Sequence, residues 1–195
     1  METIRAQSGE DPIRFAKATE ALKQDHRVIE KVLGALEWLK EHSGVHSLET
    51  WKKAVDFIRN FADRCHHLKE EKLFFPALEE RGISNKGGPI GMMLMEHEEG
   101  RGYVRAMAAA LDGWEKGEEA SQAVVIENAR AYVRLLRGHI QKEDEILFHM
   151  ADGVLTQADQ ELLLRQFEER EAKEIGTGVY EKYLKIAEEL ENDNR

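Results

Sequence analysis

Two stretches of the chain repeat one another in the residue types that hold metal ions. The first reads His66-His67-Leu68-Lys69-Glu70-Glu71-Lys72-Leu73-Phe74-Phe75; the second reads His139-Ile140-Gln141-Lys142-Glu143-Asp144-Glu145-Ile146-Leu147-Phe148. At an offset of 73 residues a histidine, a lysine, a glutamate, a second acid, a branched aliphatic residue and a phenylalanine coincide. A shorter match lies upstream of each: Asp25-His26 comes 40 residues before His66, and Glu96-His97 comes 42 residues before His139. Residues four apart share one face of a helix, so His66 projects with Glu70 and His139 with Glu143. Imidazole nitrogens mixed with carboxylate oxygens suit a redox-active first-row metal.

The neighbours of these residues are apolar, which turns the same faces toward a core. Ala62, Leu73, Phe74 and Ala77 surround the first pair, and Tyr132, Leu135, Leu136, Ile146 and Leu147 surround the second. His26 sits among Leu22, Ile29 and Leu33, and His97 among Met93, Leu94 and Val104. A single histidine on an apolar face is ordinarily a core residue with one hydrogen-bond partner. Two ionised carboxylates buried beside four histidines are a different matter, because each costs several kcal/mol unless paired. Arg101, one turn after His97, is the positive charge available on those faces. A cation between the helices removes the penalty. Four imidazoles and two carboxylates are too many for one tetrahedral zinc. A pair of ions, bridged by both glutamates and capped by the histidines, matches the count, and the donor set favours iron over manganese.

The elements that must position these groups are helices. Only three prolines interrupt the 195 residues. Asp11-Pro12 reads as a helix start, and apolar residues then recur at helical spacing to Ser43-Gly44. A second helix is predicted from Ser47 to Arg81-Gly82, with Pro76 kinking it or loosening its last turns. After the loop Asn85-Lys86-Gly87-Gly88-Pro89, a third runs from Ile90 to Lys116 and a fourth from Glu119 to Met150, ending near Gly153. Four long helices with short connections predict an all-α, up-down four-helix bundle over residues 12–150. Thr156 and Asp159 form a capping-box pattern for a fifth helix to Glu174. Val179 to Glu191 form a sixth, so residues 156–191 make a C-terminal helical extension, expected to lie at the periphery.

The ligand pattern His26, His66-x-x-x-Glu70, Glu96-His97-Glu98-Glu99-Gly100-Arg101, His139-x-x-x-Glu143 resembles the hemerythrin-like (HHE cation-binding) domain, over the segment from about Pro12 to Met150. The resemblance implies a non-haem di-iron centre that binds or reacts with dioxygen, peroxide or nitric oxide. It implies that His26 and His66 cap one iron and His97 and His139 the other, with Glu70 and Glu143 as bridges. Oxygen-carrying members have a further histidine one turn after the counterpart of His97, where this chain has Arg101. His67 is the candidate replacement; the competing reading makes it a partly exposed histidine at the bundle surface. The altered set favours redox chemistry or sensing over reversible oxygen carriage.

Charge and the remaining motifs narrow the function further. A formal net charge of −10 argues against nucleic-acid binding and against an anionic membrane surface. No apolar run is long enough to span a bilayer, the N-terminus lacks a signal-peptide core, and the single cysteine points to no oxidising compartment, so a cytoplasmic protein is expected. His42 and His46 flank a loop and should be solvated, while His149 ends the fourth helix, where a cation suits the helix dipole, and is not counted as a ligand. Cys65 reads as a small buried residue, Met92, Met93 and Met95 as core, and Glu168-Glu169-Arg170-Glu171 as a solvated face. Ferritin-like iron oxidation fits poorly, because those sites use Glu-x-x-His and the order here is reversed. Two functions stay open: a di-iron protein acting on a small diatomic or peroxide ligand, or a metal-dependent sensor or interaction module without catalysis. No catalytic residue, substrate pocket or protein partner can be named from the sequence.

Overall fold

The computed structural model describes residues 15–42, 48–174, 176 and 178–192, and the predicted helix start at Asp11-Pro12 and the first turn at Ser43-Gly44 lie outside them. Helix α1 (Ala18–Glu41) begins where the Glu20 carboxylate accepts the backbone N–H groups of Ala16 and Lys17. Its first turn is tied to the far end of the fourth helix, with Thr19 Oγ1 and Lys17 Nζ both donating to Asp152 at 2.8 Å. Helix α2 runs over 48–80, α3 is Pro89–Glu115, α4 runs over 119–154, α5 is Gln157–Glu174 and α6 is Val179–Asn192. Among the described residues there is no strand. Each of α1 to α4 packs on the next and α4 returns to α1, which closes the expected up-down bundle.

Helix ends follow local chemistry. Gly82 and Gly117 take the left-handed backbone, with φ of 89° and 86°. Ile83 N–H then reaches back to the Leu78 carbonyl and Glu118 N–H to the Gly113 carbonyl, which stops α2 and α3. Thr156 and Asp159 form the reciprocal box predicted for α5: Thr156 N–H donates to Asp159 Oδ2 at 2.8 Å, and Asp159 N–H to Thr156 Oγ1 at 3.3 Å.

Helices α2 and α4 are wider than α-helices at the level of the repeat. Ile58–His67, Glu70–Phe74 and Glu143–Leu147 are π-helical. The Glu70 carbonyl accepts the N–H of Phe75, and the Glu143 carbonyl that of Phe148, each five residues on. Pro76, expected to kink α2 or loosen its last turns, sits exposed in the first turn of the α-helical stretch Phe75–Glu80, just after a π turn, where its missing N–H is dispensable. The same wide turn recurs in α4, where the corresponding position is His149, so it belongs to the repeat and not to the proline. The inserted residue also decides which side chains enter the core. Glu70, Phe74 and Phe75 are buried together, as are Glu143, Leu147 and Phe148. Ile146, expected beside the second pair, is 55% exposed because Leu147 and Phe148 take the inward places. Leu73, Ala77 and Leu135 are only half-buried for lack of a fully inward place.

Two apolar layers sandwich this level. One contains Trp51, Phe57, Phe61, Leu36, Met107 and Tyr132; the other contains Leu22, Phe74, Phe75, Met93 and Phe148. The C-terminal helices are not peripheral. Tyr183, Ala187 and Leu190 of α6 belong to the first layer, and Leu163 and Phe167 of α5 to the second. Met92 and Met95 lie on the solvent side of α3 and are exposed, whereas Met93 is core as expected. Among the described residues no helix is long and apolar enough to cross a membrane. Because Leu190 is 1% exposed and packs into the shared layer, Leu190→Ala should destabilise the whole chain by about 2–4 kcal/mol in urea unfolding, whereas a peripheral helix would give almost no change.

Candidate metal centre

All seven residues singled out in the sequence are buried and meet at one level of the bundle. His26, His66, Glu70, His97, His139 and Glu143 are at most 1% exposed, and His67 is 4% exposed. They form two neighbouring clusters. In the first, ligand atoms of His26, His66, Glu70 and Glu143 all lie within 4.8 Å of one another; in the second, those of His67, Glu70, His97 and His139 do. Glu70 belongs to both. Its Oε1 lies 3.5 Å from His66 Nε2 and its Oε2 lies 3.4 Å from His97 Nε2. Glu143 also spans the gap, with Oε2 3.3 Å from both His26 Nε2 and His139 Nε2. His97 and His139 approach to 3.1 Å between their Nε2 atoms.

His67 turns inward, against the reading that left it at the bundle surface. His66 and His67 are consecutive at the end of the π-helical stretch, and both enter the core, side by side, to reach different clusters. The His67 ring stacks on that of His97 with centroids 4.0 Å apart. Arg101 stays out of both clusters. It donates to Glu71 Oε1 at 2.6 Å and to Asp63 Oδ1 at 2.8 Å.

A second ring of carboxylates aims the imidazoles. His26 Nδ1 donates to Asp144 at 2.8 Å, His97 Nδ1 to Glu71 at 2.9 Å, His139 Nδ1 to Glu96 at 3.0 Å and His66 Nδ1 to Asp25 at 3.3 Å. Each bond fixes the tautomer and leaves Nε2 as the inward-facing donor atom. The arrangement is crosswise: the acid following Glu70 holds a histidine of the other hairpin, and so does the acid following Glu143. The acids preceding His26 and His97 each hold the histidine of the next helix. All four were present in the repeat as Asp25, Glu71, Glu96 and Asp144, and their roles are legible only once the helices are packed. His67 has no such partner, for Asp63 Oδ1 is 3.6 Å away.

Lys69 corrects the expectation that Arg101 is the one cation on these faces. It is 4% exposed, lies 2.7 Å from Asp25 and 3.6 Å from Glu171, and is covered by Phe167 and Tyr180. Glu171 accordingly turns into the bundle and leaves the solvated run in which the sequence placed it. In the second half, Lys142 pairs with Glu96 in the same relation but is more exposed. Cys65 is buried as expected, and burial pushes its thiol up to about 12. His42 and His149 are exposed, and His46 lies outside the described residues.

The atoms left without hydrogen bonds test whether a metal fits. Among the buried polar atoms lacking a partner are His26 Nε2, His66 Nε2, both ring nitrogens of His67, and both carboxylate oxygens of Glu70 and Glu143. Native interiors rarely leave such groups unmatched. Here they converge, and they are donor atoms of the two clusters. The residues fit a metal site.

Before any cation binds, protons must do its work. Burial opposes charge on His26, but hydrogen bonds to Asp144 and Glu143 outweigh it and raise the imidazole to about 9. Burial likewise opposes charge on His139, and the Glu143 carboxylate with Glu96 raises it to about 10. Burial would raise Glu143, yet His139 and His26 hold it well below its ordinary range. His67 goes the other way, lowered by burial and by the neighbouring imidazoles. Folded-state values above the ordinary 6.5 contribute stability that is full below 6.5 and lost as pH rises through about 9 and 10. A metal ion displaces these protons, so its binding tightens over the same range. Thermal melts of chelator-treated protein should therefore fall from pH 6.5 to 10, while the gap to metal-loaded protein widens. A gap that narrows as the pH rises would contradict the linkage.

Comparison with known proteins agrees with this chemistry. The profile of the hemerythrin HHE cation binding domain matches residues 17–151. Uncharacterised proteins of Mycobacterium tuberculosis and Mycobacterium bovis are each 21% identical over 182 residues, covering 89% of this chain and 69% of the relative. The matched segment holds all seven buried histidines and glutamates, and it makes up well over half of the chain: the protein belongs to the hemerythrin HHE cation-binding domain family.

Proposed function

We propose that the chain is a non-haem di-iron protein that binds or reacts with a small oxidant: dioxygen, peroxide or nitric oxide. The observation that carries this reading is the convergence of unpartnered, fully buried carboxylate oxygens and imidazole nitrogens into two adjoining clusters that share Glu70. In this reading His26 and His66 serve one ion, His67, His97 and His139 the other, and Glu70 and Glu143 bridge them. Mixed nitrogen and oxygen donors favour iron, with manganese second. Iron held there would supply one-electron redox change and a coordination position for a small ligand.

The remaining residues prepare that position. Asp25, Glu71, Glu96 and Asp144 hold the Nδ1 protons of four histidines and so keep Nε2 free to coordinate. Phe75 stacks against His97 at 5.9 Å and Phe148 against His26 at 5.5 Å between centroids, which keeps bulk water from one side of the centre. The presence of His67 in the second cluster supports it as the replacement for the histidine absent at Arg101, and a cytoplasmic setting, supported by the single cysteine, belongs to the same proposal.

The ligand assignment predicts graded losses. After anaerobic iron loading, His67→Ala should lose the ion on its own side and keep the other, whereas Glu70→Ala should lose both, read by metal analysis of the purified variants. Visible absorption of the loaded protein should change on adding air or peroxide. Full iron retention in Glu70→Ala, or a spectrum indifferent to both oxidants, would refute the reading.

A sensor or interaction module without catalysis is the second reading, and one observation favours it. Tyr180 of α6 donates to Asp25 Oδ1 at 2.9 Å, and the other oxygen of Asp25 holds His66. The C-terminal helix thus touches the carboxylate that orients a candidate ligand, and nothing equivalent is present at Glu96 among the described residues. Limited proteolysis should cleave within 157–192 faster in chelated than in iron-loaded protein, and Tyr180→Phe should shrink that difference. Equal cleavage in both states would leave the module reading without support.

A further inference from the structure

A cleft of about 550 Å³ opens from the surface between α2, α3 and α4 and ends at His67 and Tyr132. Its charge runs against that of the chain. Four arginines line it, Arg59, Arg64, Arg101 and Arg105, against two aspartates, in a protein of net charge −10. Both aspartates are engaged: Asp63 accepts from Arg101, and Asp56 from Asn60 and Tyr183. Arg105 pairs with Glu98 at 2.9 Å. Arg59 and Arg64 are exposed on the rim and form no ion pair among the described residues. At the inner end Gly100 brings the chain against the Tyr132 ring, where a Cβ would lie 3.5 Å from Tyr132 Cε2. Tyr132 is 2% exposed, and its hydroxyl has no hydrogen-bond partner.

Neutral diatomic gases need none of this. Two unpaired guanidinium groups at the mouth and an unused hydroxyl donor at the floor are complementary to a small anion. We propose that the cleft admits and selects a small inorganic monoanion, drawn in by Arg59 and Arg64 and held by a hydrogen bond from Tyr132 Oη where the cleft meets His67. The proposal rests on the di-iron reading for its metal and adds an anionic ligand class to the oxidants named there. Arg101 keeps its place as the partner of Glu71 and Asp63, so it sets the wall of the cleft while the rim arginines supply the attraction.

Azide, a monoanion, and nitric oxide, a neutral molecule, are the probes. Stopped-flow binding to the iron-loaded full chain would be compared among wild type, the Arg59→Gln/Arg64→Gln double variant, its Arg59→Lys/Arg64→Lys counterpart, and Tyr132→Phe. The glutamine pair should slow azide association about threefold to tenfold at low ionic strength, with the gap closing at high salt. The lysine pair should restore the rate, and nitric oxide association should stay at the wild-type value in all variants. Tyr132→Phe should weaken azide about tenfold, chiefly through faster release, at unchanged iron content. Azide rates indifferent to the rim charges, or nitric oxide slowed in parallel with azide, would overturn the proposal, as would loaded wild-type protein that binds no azide. Failure of the di-iron reading looks different: iron analysis before any ligand is added would find no retained metal, and both would fall together.

Discussion

Two carboxylates and five imidazoles occupy the middle of an otherwise apolar bundle, and the rest of the structure answers to that fact. An ionised carboxylate in such surroundings costs several kcal/mol unless opposite charge and hydrogen bonds meet it. Protons shared with His26 and His139 offset part of that cost for Glu143. A metal ion would offset it for both carboxylates together, because all four of their oxygens lack partners and lie beside unpartnered nitrogens of His26, His66 and His67. The apolar layers on both sides make the arrangement steep in energy: they withhold the water that would otherwise soften the charges.

The backbone is shaped for this layer. A π turn at Glu70 and another at Glu143 place the carboxylate and the two following core side chains inward within a single turn. π-helical turns are rare and recur at functional sites. Around them two of the four outer carboxylates, Glu71 and Asp144, cross between the hairpins to His97 and His26, so that each hairpin orients one histidine of the other. The centre is thus a consequence of packing the two halves together, and the bundle and the site stand or fall as one. The symmetry is broken in two places. His67 adds an imidazole to one cluster, and on the other side Lys69, Glu171 and Tyr180 bury the Asp25 contact under the C-terminal helices.

Much of this was legible in the sequence, and what was not has a common cause. Helical periodicity, the Thr156 box and the terminal glycines specify local structure directly, so the six helices follow from them. The histidines and glutamates stood out because His-x-x-x-Glu recurs at an offset of 73 residues with a lysine, a second acid and a phenylalanine in step. Ile146 went wrong because a period of 3.6 residues assumes an unbroken α-helix, and the π turn adds a residue just before it. Glu171 read as a solvated charge and Lys69 was given no role, because their burial depends on α5 and α6 lying over α2, a tertiary relation that local pattern does not carry. The same holds for Tyr180, and for the outer carboxylates, whose partners lie on other helices. Met92 and Met95 belong to a stretch with methionines on several faces, and only Met93 meets the core.

The proposed function requires these residues to hold two ions. Crystals of the iron-loaded chain, with diffraction recorded on both sides of the iron absorption edge, would test it most directly. The account predicts two anomalous peaks inside the bundle, one among His26, His66, Glu70 and Glu143 and the other among His67, Glu70, His97 and His139. A single peak, or iron bound only at surface carboxylates, would contradict it.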